Sequence, residues 1–158
     1  ILKQVELNKI DTSCLEIELT ESSIMEEIEE RKQQLMDIQK EKIGVAIDDF
    51  GTGYSCFSYL NRLSVDILKI DRSFIRNITE NQNDLEIVSA IIAMAHSLNM
   101  KVVAEGVETQ SQHDFLFKNN CDQIQGYFYK QPQEVKLFEE YVRSSYNTCM
   151  DITAEEPR

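Results

Sequence analysis

The sequence predicts an α/β fold, namely an incomplete TIM-like (β/α) barrel with about five of the eight strands of a full barrel. Hydrophobic periodicity switches repeatedly along the chain between the repeat of a strand and that of a helix. Such alternation implies a parallel sheet with helical crossovers. Polar residues also collect at the carboxyl ends of the predicted strands, where barrel enzymes carry their chemistry.

The first third of the chain predicts two strands and two helices. Residues 1–9 form a short helix or its tail. Apolar and charged residues alternate strictly over 15–19, which predicts a strand with two faces. Residues 24–41 carry apolar positions among many charges, as in an amphipathic surface helix. Residues 43–47 form the second strand, and the glycine-rich segment after it marks a bent loop.

The middle of the chain follows the same order. A short helix is expected at 57–61, and a third strand at 65–70 is apolar apart from Asp66 and Lys69. A short helix over 71–77 comes next. The strongest helical pattern of the chain covers 85–98, with an apolar stripe along one face.

The last third predicts two further strands, each followed by a helix. The strands are expected at 101–104 and 121–125 and the helices at 110–118 and 133–144. We therefore assign 1–146 to the C-terminal portion of one domain. Residues 147–158 lack periodicity and are expected to form a loose C-terminal tail.

Two arrangements fit the alternation of elements, an open doubly wound sheet or part of a barrel. A polar residue within or at the end of each predicted strand favours the barrel. No GxGxxG segment follows a strand, so dinucleotide binding of the Rossmann type has no support.

Composition excludes several classes of function. The 158 residues carry a formal charge of −12, which argues against a nucleic-acid polymer as partner because duplex binding needs a basic face. A small anionic ligand stays compatible, since a bound metal can reverse the local charge. No apolar run is long enough to span a bilayer and no signal peptide opens the chain. We expect a cytoplasmic segment without membrane contact, and a longer parent protein that could be anchored through other domains.

The four cysteines are scattered and show neither CxxC nor CxxH spacing. Reduced thiols therefore explain them better than a disulfide framework or a zinc site does.

Carboxylates end three of the predicted strands. Brought together, Glu18, Asp48, Asp49 and Glu105 would repel one another unless a cation lay between them. Oxygen ligands select a hard ion, Mg²⁺ or Mn²⁺, rather than zinc. Two such ions about 3.5–4 Å apart can activate water and stabilise the leaving oxygen in phosphodiester hydrolysis.

Lys69 is the other unusual residue of the strand ends. A lysine inside a mostly apolar strand costs free energy unless it is paired or functional. Beside carboxylates and metal ions it could orient the attacking water or stabilise charge on a phosphate. The alternative is a structural salt bridge with Asp71 or with one of the barrel carboxylates.

Each signal also has a simpler interpretation. An aspartate pair at a strand end is often a turn or a helix cap, and Gly-Thr-Gly alone indicates only a loop. Glu21 could cap the next helix. His96 and His113 suit surface or packing positions better than ligand positions, so the argument depends on the whole set of residues.

Five ordered motifs resemble those of the EAL-domain cyclic di-GMP phosphodiesterases, from about residue 15 to residue 132. The motifs are Glu18-Leu19-Thr20-Glu21-Ser22, Asp48-Asp49-Phe50-Gly51-Thr52-Gly53-Tyr54-Ser55, Leu68-Lys69-Ile70-Asp71, Ala104-Glu105-Gly106-Val107-Glu108-Thr109 and Gln125-Gly126-Tyr127. The resemblance implies a TIM-like barrel that opens cyclic di-GMP to linear pGpG with two Mg²⁺ or Mn²⁺ ions.

The resemblance also implies roles for the strand-end residues. Glu18 resembles a ligand of the first metal, Asp48 the bridging ligand and Asp49 a ligand of the second metal. Glu105 resembles a further carboxylate of the metal centre. Lys69 resembles the lysine that holds the catalytic water.

Other positions resemble residues that shape the site. Glu21 resembles a glutamate that braces the loop over 49–55, which includes Gly51, Thr52 and Gly53. Gln125 resembles a site-lining residue, and Asp71 is expected beside Lys69. In this family the loop and the helix after it are linked to dimerisation and to control of activity.

The chain departs from the family pattern at Cys56, where a serine is usual, and at Lys130-Gln131-Pro132, where Ser-Lys-Pro is usual. We expect the Glu-Ala-Leu motif and a metal-binding asparagine to lie upstream of Ile1. A sensory or GGDEF domain is also expected upstream in the parent protein.

Three functions remain open at this point. The parent protein could be a cyclic di-GMP phosphodiesterase, a catalytically silent module that binds cyclic di-GMP, or a structural and dimerisation module. Because three barrel strands and two metal ligands are expected upstream, we predict that the isolated 158 residues are inactive. Their open sheet edges predict association with a second copy, as a homodimer, an exchange of elements between copies, or a non-native packing of the strands.

Overall fold

Five parallel strands form one sheet in the computed structural model, which describes residues 2–21, 23, 28–52, 60, 63 and 65–153. The strands lie side by side in chain order. They are β1 (Glu16–Thr20), β2 (Gly44–Phe50), β3 (Ile67–Ile70), β4 (Lys101–Ala104) and β5 (Gln123–Ile124). The predicted incomplete barrel is confirmed, because within these residues the sheet stays open, with β1 and β5 at its edges.

Helices follow the strands as the crossovers of a parallel sheet require. They are α1 (Leu2–Leu7), α2 (Ile28–Lys40), α3 (Arg72–Arg76), α4 (Gln82–Ser97), α5 (Gln110–Lys118) and α6 (Val135–Thr153). The predicted helix at 57–61 falls almost entirely outside the described residues. Helix α6 extends past the predicted end at residue 144 and reaches Thr153. The predicted division between a domain over 1–146 and a loose tail over 147–158 stays a prediction.

The core lies between the sheet and the helices that pack on it, with α4 contributing four buried residues. Leu68 and Ile70 of β3 are fully buried and belong to one apolar cluster with the α4 stripe. Side chains alternate across a strand, so Lys69 between them points to the opposite face of the sheet. The sheet therefore packs on the apolar core with one face, and its other face carries Lys69 and the polar strand-end residues of the predicted site.

Polar side chains cap the helices that follow β3 and β4. The Asp71 carboxylate accepts a hydrogen bond from the Ser73 N–H and caps α3, while the Thr109 hydroxyl accepts one from the Gln112 N–H and caps α5. Because these connections are short, the residues that end β3 and β4 are held by both a strand and a helix. None of the helices within the described residues is long and apolar enough to cross a bilayer.

Gly126, two residues after the end of β5, lies against the backbone of Val107. A Cβ atom at this position would overlap the carbonyl oxygen and the amide nitrogen of Val107. We expect Gly126→Ala to lower the free energy of unfolding by about 3 kcal/mol, because backbone atoms cannot move aside as a flexible side chain can. Gly44→Ala is the control, since its nearest neighbour would lie at an ordinary 3.6 Å. Equal urea midpoints for the two variants would contradict this expectation.

Candidate active site

Lys69 lies at the centre of the polar face and is only 6% exposed. Its Nζ lies 2.7 Å from Glu18 Oε1 on β1 and 2.7 Å from Glu105 Oε1 after β4. Asp48 Oδ1 on β2 is 3.1 Å away. The strands are parallel, so their carboxyl ends bring these four residues together.

The pKa of Lys69 reflects two opposed effects. Burial is the largest single effect and lowers the pKa. The hydrogen bonds to Glu105 and Glu18 and the ion pair with Asp48 together outweigh it and raise the pKa above its ordinary value. Lys69 is therefore a charged hydrogen-bond donor at neutral pH and cannot act there as a base.

Asp48 and Asp49 owe their placement to a bend in β2. The pairing of β2 with β3 shifts register between Ile47 and Phe50, and Asp49 has a φ of 54°. Adjacent side chains of a regular strand would point to opposite faces. The bend brings ligand oxygens of Asp48, Asp49 and Glu105 within 4.8 Å of one another.

This cluster fits a hard divalent cation. All three donors are carboxylate oxygens, which Mg²⁺ and Mn²⁺ prefer. Asp48 Oδ1 is buried and accepts no hydrogen bond from the described residues, and its 3.1 Å contact with the Lys69 ammonium is an ion pair. A buried carboxylate oxygen with an uncommitted lone pair is an available metal ligand. Glu18 lies outside the group of three and joins it through Lys69.

Glu21 connects the site to the loop after β2. Its side chain is buried, and Oε2 accepts a hydrogen bond of 3.0 Å from the Gly51 N–H. Gly51 has a φ of 98°, and a Cβ there would lie 2.7 Å from the Phe74 ring. The Thr52 hydroxyl donates to the Asp49 carbonyl at 2.8 Å. Gly53, also expected in this loop, lies outside the described residues.

Asp71 and Gln125, both predicted near the site, do not contact the Lys69 ammonium in the hydrogen bonds and ion pairs of the described residues. The Asp71 carboxylate caps α3, and Lys69 instead pairs with the strand-end carboxylates. The Gln125 backbone bonds to Ala104 on one side and to Val107 on the other. Gln125 lines the same cavity as Glu105.

The cavity beside Glu105 has a volume of about 910 Å³. Cationic and aromatic side chains line it next to the carboxylate, among them Arg72, Arg76, Lys130, Tyr127 and Phe138. Sequence reasoning gave none of these residues a role in the site, although Tyr127 and Lys130 lie in segments that were compared with the family pattern. The available signal was the spacing of Arg72 and Arg76, which are four residues apart and hence share one face of a helix.

The two histidines and the described cysteines lie outside the carboxylate cluster. His96 Nε2 lies 2.8 Å from Asp122 Oδ2, and the His113 ring packs against Phe128 at 5.2 Å. Cys14 and Cys121 are free thiols. Reduced cysteines and packing histidines are thus the interpretations that the described residues support.

Comparison with known proteins decides the family. Residues 1–132 match the model of the EAL domain. The chain belongs to the EAL-domain family. The NbdA cyclic di-GMP phosphodiesterase of Pseudomonas aeruginosa is 48% identical over 130 residues, covering 82% of this EAL chain. The chain spans only 17% of the length of that relative.

Solved structures agree with this EAL fold. The PaMucR phosphodiesterase in complex with c-di-GMP has a TM-score of 0.82 and 39% identity, covering 87% of this chain and 56% of that one. The manganese and cy-diGMP complex of Klebsiella pneumoniae BlrP1 has a TM-score of 0.77 and 28% identity, covering 83% of this chain and 33% of that one. EAL structures therefore hold divalent metal together with the cyclic dinucleotide.

Proposed function

We propose that the protein containing this EAL chain hydrolyses cyclic di-GMP to linear pGpG in bacterial second-messenger signalling. The observation that carries the proposal is the buried Lys69 ammonium surrounded by carboxylates at the strand ends. The names of the relatives support the substrate, because NbdA and PaMucR are phosphodiesterases and the latter was solved with c-di-GMP.

We assign the metal site to the carboxylates around Lys69. Asp48, Asp49 and Glu105 would hold Mg²⁺ or Mn²⁺, with Glu18 as a further ligand and two ions in the intact domain. Bound metal supplies a nucleophilic water at neutral pH and neutralises charge on the phosphate. The excess of carboxylates over ammonium groups favours cation binding here.

The chain's own residues contribute orientation and charge. The Lys69 ammonium, held by three carboxylates, can donate a hydrogen bond to the attacking water and stabilise negative charge on the phosphate. Glu21 fixes the loop after Asp49 through the Gly51 N–H. Arg72, Arg76 and Lys130 form the cationic wall of the cavity. Together with Gln125 this wall would orient the dinucleotide beside Glu105.

Turnover by the full-length protein tests the proposal. Incubation with cyclic di-GMP and Mn²⁺ should yield pGpG, detected by chromatography, and EDTA should stop its formation. The isolated 158 residues should show negligible turnover. Binding of cyclic di-GMP without any product would contradict the proposed enzyme and support the catalytically silent module.

The wider assembly stays a prediction. We propose a homodimer, a sensory or GGDEF domain upstream, and a cytoplasmic location for this segment. Within the described residues the sheet edges at β1 and β5 are open, so each can pair with a further strand, either of the parent's own barrel or of a second copy.

A further inference from the structure

Gln112 is the one buried glutamine among the described residues and is only 5% exposed. It occupies the third position of α5, outside the cluster of Lys69 and the strand-end carboxylates. A buried amide must satisfy two acceptor sites and two donor hydrogens. The partners of Gln112 therefore show which parts of the site it joins.

The Gln112 oxygen holds the loop after β4. Oε1 accepts hydrogen bonds from the Glu108 N–H at 2.8 Å and from the Thr109 N–H at 3.0 Å. The second of these bonds forms a capping box with Thr109. Glu105 belongs to the same loop, three residues before Glu108.

The Gln112 nitrogen holds a different connection. Nε2 donates to the carbonyl oxygens of Ile75 and Arg76, each at 3.2 Å, at the carboxyl end of α3. Helix α3 follows directly after β3, the strand that carries Lys69. One side chain thus joins the connection that follows the Lys69 strand to the loop that carries Glu105.

The loop around Glu105 has three further points of attachment. The Glu105 N–H donates to the Ile70 carbonyl at 3.2 Å, and the Val107 N–H donates to the Gln125 carbonyl at 3.1 Å. Gly106, with a φ of 70°, packs so closely on Arg72 that a Cβ would lie 2.6 Å from the Arg72 Cβ. Gln112 adds a further attachment to this loop, at Glu108 and Thr109.

We propose that Gln112 is a positioning residue that sets the geometry of Glu105 relative to Lys69 and Asp48, and hence the affinity of the site for a divalent cation. The proposal rests on the proposed function of the same site. Residues that orient metal ligands without touching the metal commonly change affinity or activity by about 10–100-fold.

The Gln112→Glu variant keeps the hydrogen bonds of the side-chain oxygen and removes those of the side-chain nitrogen. A glutamate keeps the capping box with Glu108 and Thr109 but cannot donate to the carbonyls of α3. We expect the full-length variant to bind Mn²⁺ about tenfold more weakly in calorimetry without substrate, and to lose about tenfold in kcat while KM for cyclic di-GMP changes less than about twofold.

Two variants of α5 serve as controls. Gln110→Glu makes the same chemical change at an exposed position of the same helix, where the side chain bonds to Asp114. Leu116→Ala removes fully buried apolar contacts of α5 and lowers stability without touching the hydrogen bonds of Gln112. Both controls should bind Mn²⁺ as the wild type does.

Gln112→Met is the alternative test variant if the buried charge of Gln112→Glu prevents folding. We expect the same loss of Mn²⁺ affinity in Gln112→Met. Wild-type affinity in the folded Gln112 variants would overturn the positioning role, as would an equal loss in Leu116→Ala. A wild-type protein that neither binds Mn²⁺ nor forms pGpG would instead overturn the proposed function on which this role rests.

Discussion

Lys69→Met is expected to lower kcat for cyclic di-GMP hydrolysis by about a thousandfold in the full-length protein. Methionine fills a similar volume but offers neither a charge nor a hydrogen bond. Glu18, Asp48 and Glu105 would each lose their contact with the ammonium, and the attacking water would lose its donor. Loss of a donor in a buried site affects the transition state most, because charge develops there.

The same variant should keep its affinity for Mn²⁺ or gain some, since removal of a cation leaves the carboxylates more negative. Lys101→Met is the matched control, because Lys101 is exposed at the opposite end of its strand from Glu105. Its turnover should equal that of the wild type. A Lys69→Met protein with more than about a tenth of wild-type kcat would show that Lys69 is only a structural ion-pair partner.

Asp48→Asn is expected to weaken Mn²⁺ binding by about a hundredfold, which corresponds to about 3 kcal/mol, and to lower turnover at limiting metal in proportion. The change keeps the shape of the side chain and removes the charge of its buried Oδ1. Fewer carboxylates then attract the cation into the site.

Stability without metal should hardly change in Asp48→Asn, because Lys69 keeps its 2.7 Å contacts with Glu18 and Glu105. Asp37→Asn is the control, an exposed carboxylate paired with Lys40 on α2. Calorimetry with Mn²⁺ and thermal melts in EDTA separate the two effects. If Asp48→Asn bound Mn²⁺ as the control does, Asp48 would not be a metal ligand.

Much of the fold was predictable from local pattern. The predicted bounds 101–104 and 110–118 agree with β4 and α5, because a short apolar run and a capped helix are both marked in the sequence. Strand β2 extends to Phe50, beyond the predicted end at residue 47, since the bend at Asp49 lets the backbone pair again with Ile70. Strand β5 is shorter than predicted, at Gln123–Ile124, and lies at the edge of the sheet within the described residues.

The candidate site was predictable to the extent that topology determines it. Carboxyl ends of parallel strands meet at one edge, so Glu18, Asp48, Glu105 and Lys69 could be expected together. The cationic wall of the cavity and the four bonds of Gln112 depend on how helices pack. Sequence spacing reports the capping box of Gln112 but cannot report its bonds to the carbonyls of α3.

Anomalous diffraction from crystals of the intact domain grown with Mn²⁺ tests the central claim most directly. We predict manganese peaks at the carboxyl ends of the strands, with oxygen atoms of Asp48, Asp49 and Glu105 as ligands and Lys69 beside them. Crystals that contain Mn²⁺ in the solvent but show no anomalous peak at these carboxylates would contradict the assignment of this cluster as a metal centre.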